Sequence, residues 1–193
     1  MIVFWKSFIT SKHIFLAGFL VLATLIALAG RLVPHAPNFT PVGALALFGG
    51  MYLAGKTKWA LLFPLAVMFL TDLAIGFYDF RLMLAVYISF LFYGMFGFLV
   101  KDKKSIGTIT LATLAGSFLF YLTTNFAVWM FSSFYPATPE GLMLSYFMAL
   151  PFLKYTLLGD LFFVAVFAGG YEFVLAALHK KQFLLDRVKE RRT

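Results

Sequence analysis

The sequence predicts an all-α protein, a polytopic bundle of six transmembrane helices with both termini cytoplasmic, on three observations. The first is composition, because 62% of the 193 residues are hydrophobic and only 12% are charged, whereas a soluble domain is about half apolar and about a quarter charged. The second is the repeated occurrence of long apolar segments. The third is the uneven distribution of Lys and Arg between the segments that connect them.

Six segments are predicted to span the membrane, because a transmembrane helix needs roughly 20 mostly apolar residues. The predicted spans are 13–33, 41–55, 59–77, 82–100, 106–131 and 152–178, within a single integral membrane domain. The second span is short, so we expect it to tilt little or to end inside the protein. Another apolar piece, Gly141 to Leu150, is too short to span and is expected at the interface or as a re-entrant segment. Residues 179–193 are predicted to form a basic cytoplasmic tail.

The beginning of the chain allows a second interpretation. Lys6 and Lys12 precede an apolar run that contains Ala27-Leu28-Ala29, and this order also resembles a signal peptide with its cleavage site. Because the run is long enough to span, a first transmembrane helix is the favoured interpretation.

The positive charges indicate the orientation. With six spans, thirteen of the sixteen Lys and Arg residues fall on one side of the membrane and three on the other. The side with the excess is predicted to be cytoplasmic, which suits a protein of the bacterial cytoplasmic (inner) membrane. These basic residues are expected to contact anionic lipids. They are spread over separate loops at the membrane edge, which argues against nucleic acid as a partner.

Polar and ionisable residues gather toward one end of the predicted bundle. An ionisable group inside a span is costly and usually faces the protein interior or a cavity. The predicted topology places the unusual polar residues at the outer end, and we expect an outward-facing pocket lined by Arg31, His35, Asn38, Asp72, Arg81, Asn125, Trp129 and Asp160. The two asparagines would offer amide hydrogen bonds, the indole would stack on a flat ring, and the two aspartates would fix a donor or a cation.

Other roles for the same residues remain open. Each could form a buried polar contact between helices, and Asp72 and Asp160 could form ion pairs with Arg31, Arg81 or Lys154. A histidine in the position of His35 could ligate a metal or titrate, but no second metal ligand lies at a useful spacing, so no metal site is predicted.

Signatures of catalysis are missing from the sequence. It contains no G-x-x-x-x-G-K-[ST] loop for phosphates, no G-x-S-x-G elbow and no His/Asp metal set. Cysteine is absent as well, so a thiolate nucleophile or ligand is excluded. We therefore expect neither enzymatic activity nor a cofactor.

Four stretches carry a resemblance to a known family: "RLVPHAPNFTPVGALALFGG", "TDLAIGFYDF", "TTNFAVWMFSSFYP" and "LGDLFF". They resemble a family of uncharacterised bacterial six-helix membrane proteins, over most of the chain from Arg31 to Phe163. That family is similar to the substrate-capture (S) subunits of energy-coupling factor vitamin transporters. The resemblance implies a compact six-helix bundle that binds a vitamin-like molecule near its outer face.

The resemblance also implies partners. In such transporters a membrane coupling subunit and two cytoplasmic ATPases power uptake, and an Ala-x-x-x-Ala pattern in the first helix contacts the coupling subunit. Ala23 and Ala27 match that pattern, although small residues at this spacing also serve packing within a bundle. Solitary relatives that transport cobalamin use a cysteine to ligate cobalt, and this Cys-free chain lacks one. The alternative function is a non-transporting membrane scaffold or accessory subunit, which predicts a fully paired polar cluster and no cavity.

Overall fold

The computed structural model describes residues 2–33, 36–55 and 57–190, with the backbone alone at 2–13, 58, 181–182, 184–186 and 188–190. All regular structure in that part of the chain is helical, which confirms the all-α prediction. The helices are α1 (Ile2–Leu32), α2 (Val42–Tyr52), a short 3-10 helix (Lys58–Leu61), α3 (Phe63–Ile75), α4 (Phe80–Val100), α5 (Ile106–Phe131), α6 (Pro139–Val164) and α7 (Gly170–Glu190). A single π-helical segment, Ala165–Gly169, joins α6 to α7 without a break.

The lengths and compositions of these helices are those of a membrane protein. Within the described residues, four helical segments are long and apolar enough to cross a membrane, namely Ile14–Leu32, Phe80–Val100, Ile106–Phe131 and Pro139–Lys180. Two further apolar helices, Val42–Tyr52 and Trp59–Ile75, are shorter. They correspond to the second and third predicted spans.

Local sequence signals fix several helix starts. Ser105 and Thr108 form a reciprocal capping box at the beginning of α5, which satisfies N–H groups that have no partner inside the helix. Asp79 accepts a hydrogen bond from the Arg81 N–H at 2.8 Å where α4 begins. The predicted boundaries of these two helices are accordingly close to the observed ones.

The sixth predicted span, 152–178, begins too late. Thr138 caps a helix that begins at Pro139, and its hydroxyl accepts from the Gly141 N–H at 3.2 Å. The piece from Gly141 to Leu150 is therefore the first part of α6 and not a separate interfacial or re-entrant segment. Pro151 lies inside the helix. Membrane helices tolerate an internal proline when neighbouring groups bond the backbone carbonyl that it leaves without a partner.

The centre of the bundle is α2, whose eleven residues are all buried. It packs closely against α4 and also contacts α1, α3, α5 and α6. A Cβ at Gly50 would overlap the carbonyl oxygen of Gly94 and would lie 2.8 Å from the Phe98 nitrogen, so the two backbones touch directly. The short second span is explained by this position, because protein surrounds α2 on all sides.

Polar contacts join α5 to the first turns of α6. The Tyr121 hydroxyl donates to the Tyr146 carbonyl at 2.7 Å, and the Tyr146 hydroxyl donates to the Leu122 carbonyl at 3.1 Å. Ser145 donates to the Asn125 carbonyl at 3.0 Å. We call the end of the bundle that holds this α5–α6 connection the 132–138 end, and the opposite one, where α4 meets α5, the 101–105 end.

At the 101–105 end, Glu172 ties α7 to the bundle. Its Oε1 accepts from the Tyr52 hydroxyl at 2.7 Å and from Lys104 Nζ at 3.1 Å. The Lys104 ammonium also lies 4.1 Å from the centre of the Tyr52 ring. Glu172 is thus bonded to Tyr52 and Lys104 at this end of the bundle and does not belong to the polar cluster near the other end.

Candidate ligand-binding site

The Asp160 carboxyl on α6 is buried inside the bundle, where it is 3% exposed. Its Oδ2 accepts hydrogen bonds from the Tyr93 hydroxyl of α4 and from the Ser117 hydroxyl of α5, the latter at 2.7 Å. On α2, a Cβ at Gly43 would lie 2.5 Å from Asp160 Oδ1. Four helices therefore converge on one carboxyl group, and only glycine at position 43 leaves room for it.

The sequence predicts that this carboxyl lies in the outer part of the bundle. In the structure it lies near the middle. Tyr93 is thirteen residues into α4, which corresponds to about 20 Å at 1.5 Å per residue. A hydrocarbon core is about 30 Å thick. The predicted position was too shallow because α6 begins at Pro139, thirteen residues before the predicted start at Phe152.

No cation of the described residues pairs with Asp160, which enters none of the ion pairs found there. Its partners are two neutral hydroxyls and the beginning of α2. Gly43 is the second residue of α2, and the start of a helix carries a partial positive charge from its unpaired N–H groups. The helix dipole therefore offsets part of the negative charge and leaves no full cation beside it.

Two adjoining cavities open above Asp160. The smaller, about 20 Å³, is lined by Asn38, Thr40, Phe90, Tyr93, Phe120, Thr156 and Asp160. The larger, about 160 Å³, is lined by Pro37, Asn38, Phe120, Tyr121, Thr124, Asn125, Phe152, Leu153 and Thr156. Asn38, Phe120 and Thr156 line both, so the cavities are neighbours. Together they extend along α5 from the level of Phe120 to that of Asn125, which is about 8 Å.

Three of the predicted site residues, Asn38, Asn125 and Asp160, line this pair of cavities. Asn38 has φ 63°, a left-handed conformation that asparagine adopts more readily than most residues. It turns the chain between α1 and α2 into the bundle. The Asn125 side-chain nitrogen donates to the Tyr121 carbonyl at 2.8 Å, and its amide oxygen remains as an acceptor.

Asp72 and Arg31 form an internal ion pair and do not line these cavities. Arg31 Nη2 lies 2.7 Å from Asp72 Oδ1, and the side chains are 15% and 2% exposed. The Tyr87 hydroxyl donates to Asp72 Oδ2 at 2.6 Å. Both carboxylate oxygens are therefore occupied, and this is the structural role that the sequence had left open for Arg31 and Asp72.

Arg81 and Trp129 stabilise the loops at the 132–138 end and lie outside the paired cavities. Arg81 Nη2 lies 2.7 Å from Asp79 Oδ2, and its guanidinium sits 5.1 Å from the centre of the Phe131 ring. The Trp129 indole N–H donates to the Pro136 carbonyl at 3.0 Å. Arg81 lines a separate cavity of about 420 Å³ together with Phe126, Phe131 and Tyr146. The expectation of one pocket shared with Asp160 is therefore corrected for Arg81, and Trp129 is not among the residues that line the paired cavities. His35, the remaining predicted site residue, lies outside the described residues.

Ala23 and Ala27 lie inside the bundle, where they are 1% and 0% exposed. They belong to the main hydrophobic cluster together with Leu45 and Phe48 of α2. The expectation of a partner surface at these two residues is therefore corrected, because their small side chains serve the packing of α1 inside the bundle.

The residues that the sequence analysis missed are those that complete the cavities. Tyr93 and Thr156 supply hydroxyls, and Phe90 and Phe120 supply aromatic walls. Ser117 bonds Asp160 from α5 without lining a cavity itself. A signal was present, because Tyr93 and Ser117 are polar residues inside long apolar runs. Nothing in their spacing, however, connects them to Asp160 on another helix.

The comparison with known proteins assigns the chain to a family. A family whose description reads "Family of unknown function (DUF6580)" matches residues 10–183. The chain belongs to this family. The stretch that DUF6580 covers includes every residue of the paired cavities. Neither the curated proteins nor the solved structures provide a match.

Proposed function

We propose that the chain is a membrane-embedded subunit that binds and takes up a small molecule, similar in role to the substrate-capture subunits of energy-coupling factor vitamin transporters. The supporting observation is the pair of cavities that ends at the buried Asp160 carboxyl. Ligand sites commonly combine an apolar enclosure with a few convergent polar groups. Asn38, Asn125, Thr156 and Asp160 are those groups here. This assignment makes the chain a binding and transport protein and not an enzyme.

The proposal includes a topology in the bacterial cytoplasmic membrane. We propose six crossings, by α1, α2, α3 with its preceding 3-10 helix, α4, α5 and the α6–α7 helix, with the 132–138 end outside and both termini in the cytoplasm. The excess of Lys and Arg at the other end supports this orientation.

The absence of cysteine makes this topology directly testable. We expect a Ser133→Cys variant to react with a membrane-impermeant maleimide in intact cells. An Asp102→Cys variant, at the opposite end of the bundle, should react only after the cells are permeabilised. The reverse pattern, or equal labelling of both, contradicts the proposed orientation.

Binding is tested by thermal unfolding of the purified protein in detergent against a panel of vitamins, nucleobases and metal ions. A ligand at 100 times its Kd stabilises a protein by about 2.7 kcal/mol. For a chain of this size that corresponds to a rise in Tm of about 5–10 °C. Asn125→Ala and Asp160→Ala should each abolish the rise.

A cavity-filling variant provides the sharper control. Thr156 lines both cavities, and its hydroxyl only bonds the Phe152 carbonyl of its own helix at 2.9 Å. Thr156→Leu should block binding because its larger side chain enters the cavities, whereas the nearly isosteric Thr156→Val should retain binding. Equal ligand responses from the two variants would show that the ligand binds elsewhere.

ATP-driven uptake would require partners, because the sequence contains no phosphate-binding loop. We propose a membrane coupling subunit and cytoplasmic ATPases for that step. Copurification from bacterial membranes, followed by mass spectrometry, should identify a second membrane protein together with ATPases. Purification of the chain alone with intact uptake would instead indicate a solitary transporter.

One observation favours the alternative of a non-transporting scaffold. All fully buried side-chain nitrogens and oxygens of the described residues have hydrogen-bond partners, and the Arg31–Asp72–Tyr87 group is completely paired. A scaffold predicts that Thr156→Leu fills the cavities without functional loss. Unchanged association with partners in that variant, with no ligand response from the wild-type protein, would favour the scaffold.

A further inference from the structure

The two buried aspartates of the bundle differ in their surroundings. Asp72 has the Arg31 guanidinium at 2.7 Å, whereas Asp160 has only the hydroxyls of Tyr93 and Ser117. Removing an ionised carboxylate from water is costly unless a cation accompanies it. Asp72 is therefore neutralised by a cation of the protein itself, whereas Asp160 has no such cation and lines a cavity.

We infer that the paired cavities accept a small organic cation, an ammonium group attached to one flat ring, with the ammonium at Asp160. The inference rests on the proposed function and names the class of solute for the same site. Among the described residues, no donor bonds Asp160 Oδ1, since both hydroxyls go to Oδ2. An ammonium group at Oδ1 completes the carboxylate with a charge-assisted hydrogen bond.

The dimensions of the two cavities match the two parts of such a molecule. A space of roughly 10–15 Å³ is enough for one water-sized group, and an ammonium group is of that size. The smaller cavity, about 20 Å³, therefore holds the ammonium. The larger cavity, about 160 Å³, compares with the roughly 150 Å³ apolar cavity that binds benzene in another protein. It accommodates a single ring and excludes solutes as large as cobalamin.

The walls of the smaller cavity also favour a cation. Phe90, Tyr93 and Phe120 line it, and the faces of aromatic rings attract cations that have lost their water. Asn38 and Thr40 provide oxygens that accept further hydrogen bonds from an ammonium group.

The same walls disfavour an anion. None of the residues described as lining the two cavities is Lys or Arg. A carboxylate or phosphate would approach Asp160 without a compensating side chain, and like charges at close range repel. The beginning of α2, at Gly43, already lies beside the aspartate itself.

The test uses three ligands of one shape and three charges: benzylammonium, benzyl alcohol and benzoate. Each is titrated at pH 7 into the purified full-length protein in detergent, by calorimetry. We expect benzylammonium to bind about 10- to 100-fold more tightly than benzyl alcohol, as for hydrogen bonds to charged groups, and benzoate to bind most weakly. Equal affinities for the ammonium and the alcohol, or tighter binding of benzoate, would overturn the inference.

A charge variant locates the effect. Asp160→Asn should remove the preference for benzylammonium and leave the affinity for benzyl alcohol within about twofold. The matched control is Asp102→Asn, which removes one negative charge from a side chain that is 83% exposed at the 101–105 end and should retain the preference. A preference that persists in Asp160→Asn contradicts the assignment. If that variant does not fold, the order of the three ligands on the wild-type protein decides the question.

The failure of this inference is distinguishable from the failure of the proposed function. If a neutral or anionic ligand raises the Tm and Thr156→Leu abolishes the rise, the cavities bind solutes but the inferred cation is wrong. If the three ring ligands and the whole panel leave the Tm of the wild-type protein unchanged, both proposals are overturned.

Discussion

Replacing Arg31 by Met should destabilise the bundle by about 3–5 kcal/mol, the usual cost of removing one partner from a buried ion pair. Arg31 Nη2 and Asp72 Oδ1 are 2.7 Å apart, and the aspartate side chain is only 2% exposed. In the variant the carboxylate keeps a single neutral partner, the Tyr87 hydroxyl at 2.6 Å. One hydrogen bond to a charged group contributes about 1.5–3 kcal/mol, which is too little to offset the desolvation of the charge.

The double variant Arg31→Met with Asp72→Asn separates charge from packing. It removes both charges and keeps an amide beside Tyr87, so we expect a loss of only about 1–2 kcal/mol, well below the sum of the two single losses. The free energies of unfolding are measured by denaturant titration in detergent micelles, with tryptophan fluorescence and circular dichroism as probes. Arg81→Met is the matched control, because the Arg81–Asp79 pair has the same 2.7 Å separation but exposed side chains, and it should have a much smaller effect. A loss in Arg31→Met no larger than in this control, or additive single losses, would refute the reasoning.

Three further predictions concern backbone contact, helix propensity and pH. Gly50→Ala should lower the free energy of unfolding by more than about 2 kcal/mol, as for overpacked cores, because its Cβ meets the backbone of Gly94, which cannot move aside. Gly169→Ala should be neutral or stabilising by up to about 1 kcal/mol, since a Cβ there meets no atom within 4 Å. Thermal unfolding of Gly50→Ala and Gly169→Ala beside the wild type measures both effects. The Arg81 side chain and N–H lower the pKa of Asp79 from 3.8 to about 2, so the stabilisation from this group is complete above about pH 4 and is lost as the pH falls toward 2. The difference in Tm between the wild type and Asp79→Asn should therefore shrink across that interval, and a constant difference would contradict the assignment.

The sequence was sufficient for the fold class and for the helices whose ends carry strong local signals. The capping box of Ser105 and Thr108 and the cap at Asp79 mark the beginnings of α5 and α4 within about two residues of prediction. The beginning of α6 was misplaced because the apolar piece before Pro151 was interpreted as a separate segment too short to span. In the structure neighbouring helices bond that segment, for example through Ser145 and the Asn125 carbonyl, and a contact of this kind is not visible in one sequence.

The candidate site was predictable in part, for a related physical reason. The cost of placing polar groups among apolar residues singled out Asn38, Asn125 and Asp160, which the structure brings together along the paired cavities. The same criterion selected Asp72, which the structure pairs with Arg31, because cost alone does not distinguish a charge neutralised by a neighbour from one that lines a cavity. That distinction depends on distances between helices.

The helix that carries Asp160 is far longer than a membrane is thick. From Pro139 through the π-helical segment to Glu190 it contains about 50 residues, or about 75 Å, against roughly 30 Å of hydrocarbon. In a helix of this length, a small rotation at one end moves the other end a long way. If it pivots by about 10° at its Pro139 end, its far end moves by about 13 Å. In the proposed topology that end lies in the cytoplasm, so a small tilt of the helix at the level of Asp160 would be amplified there.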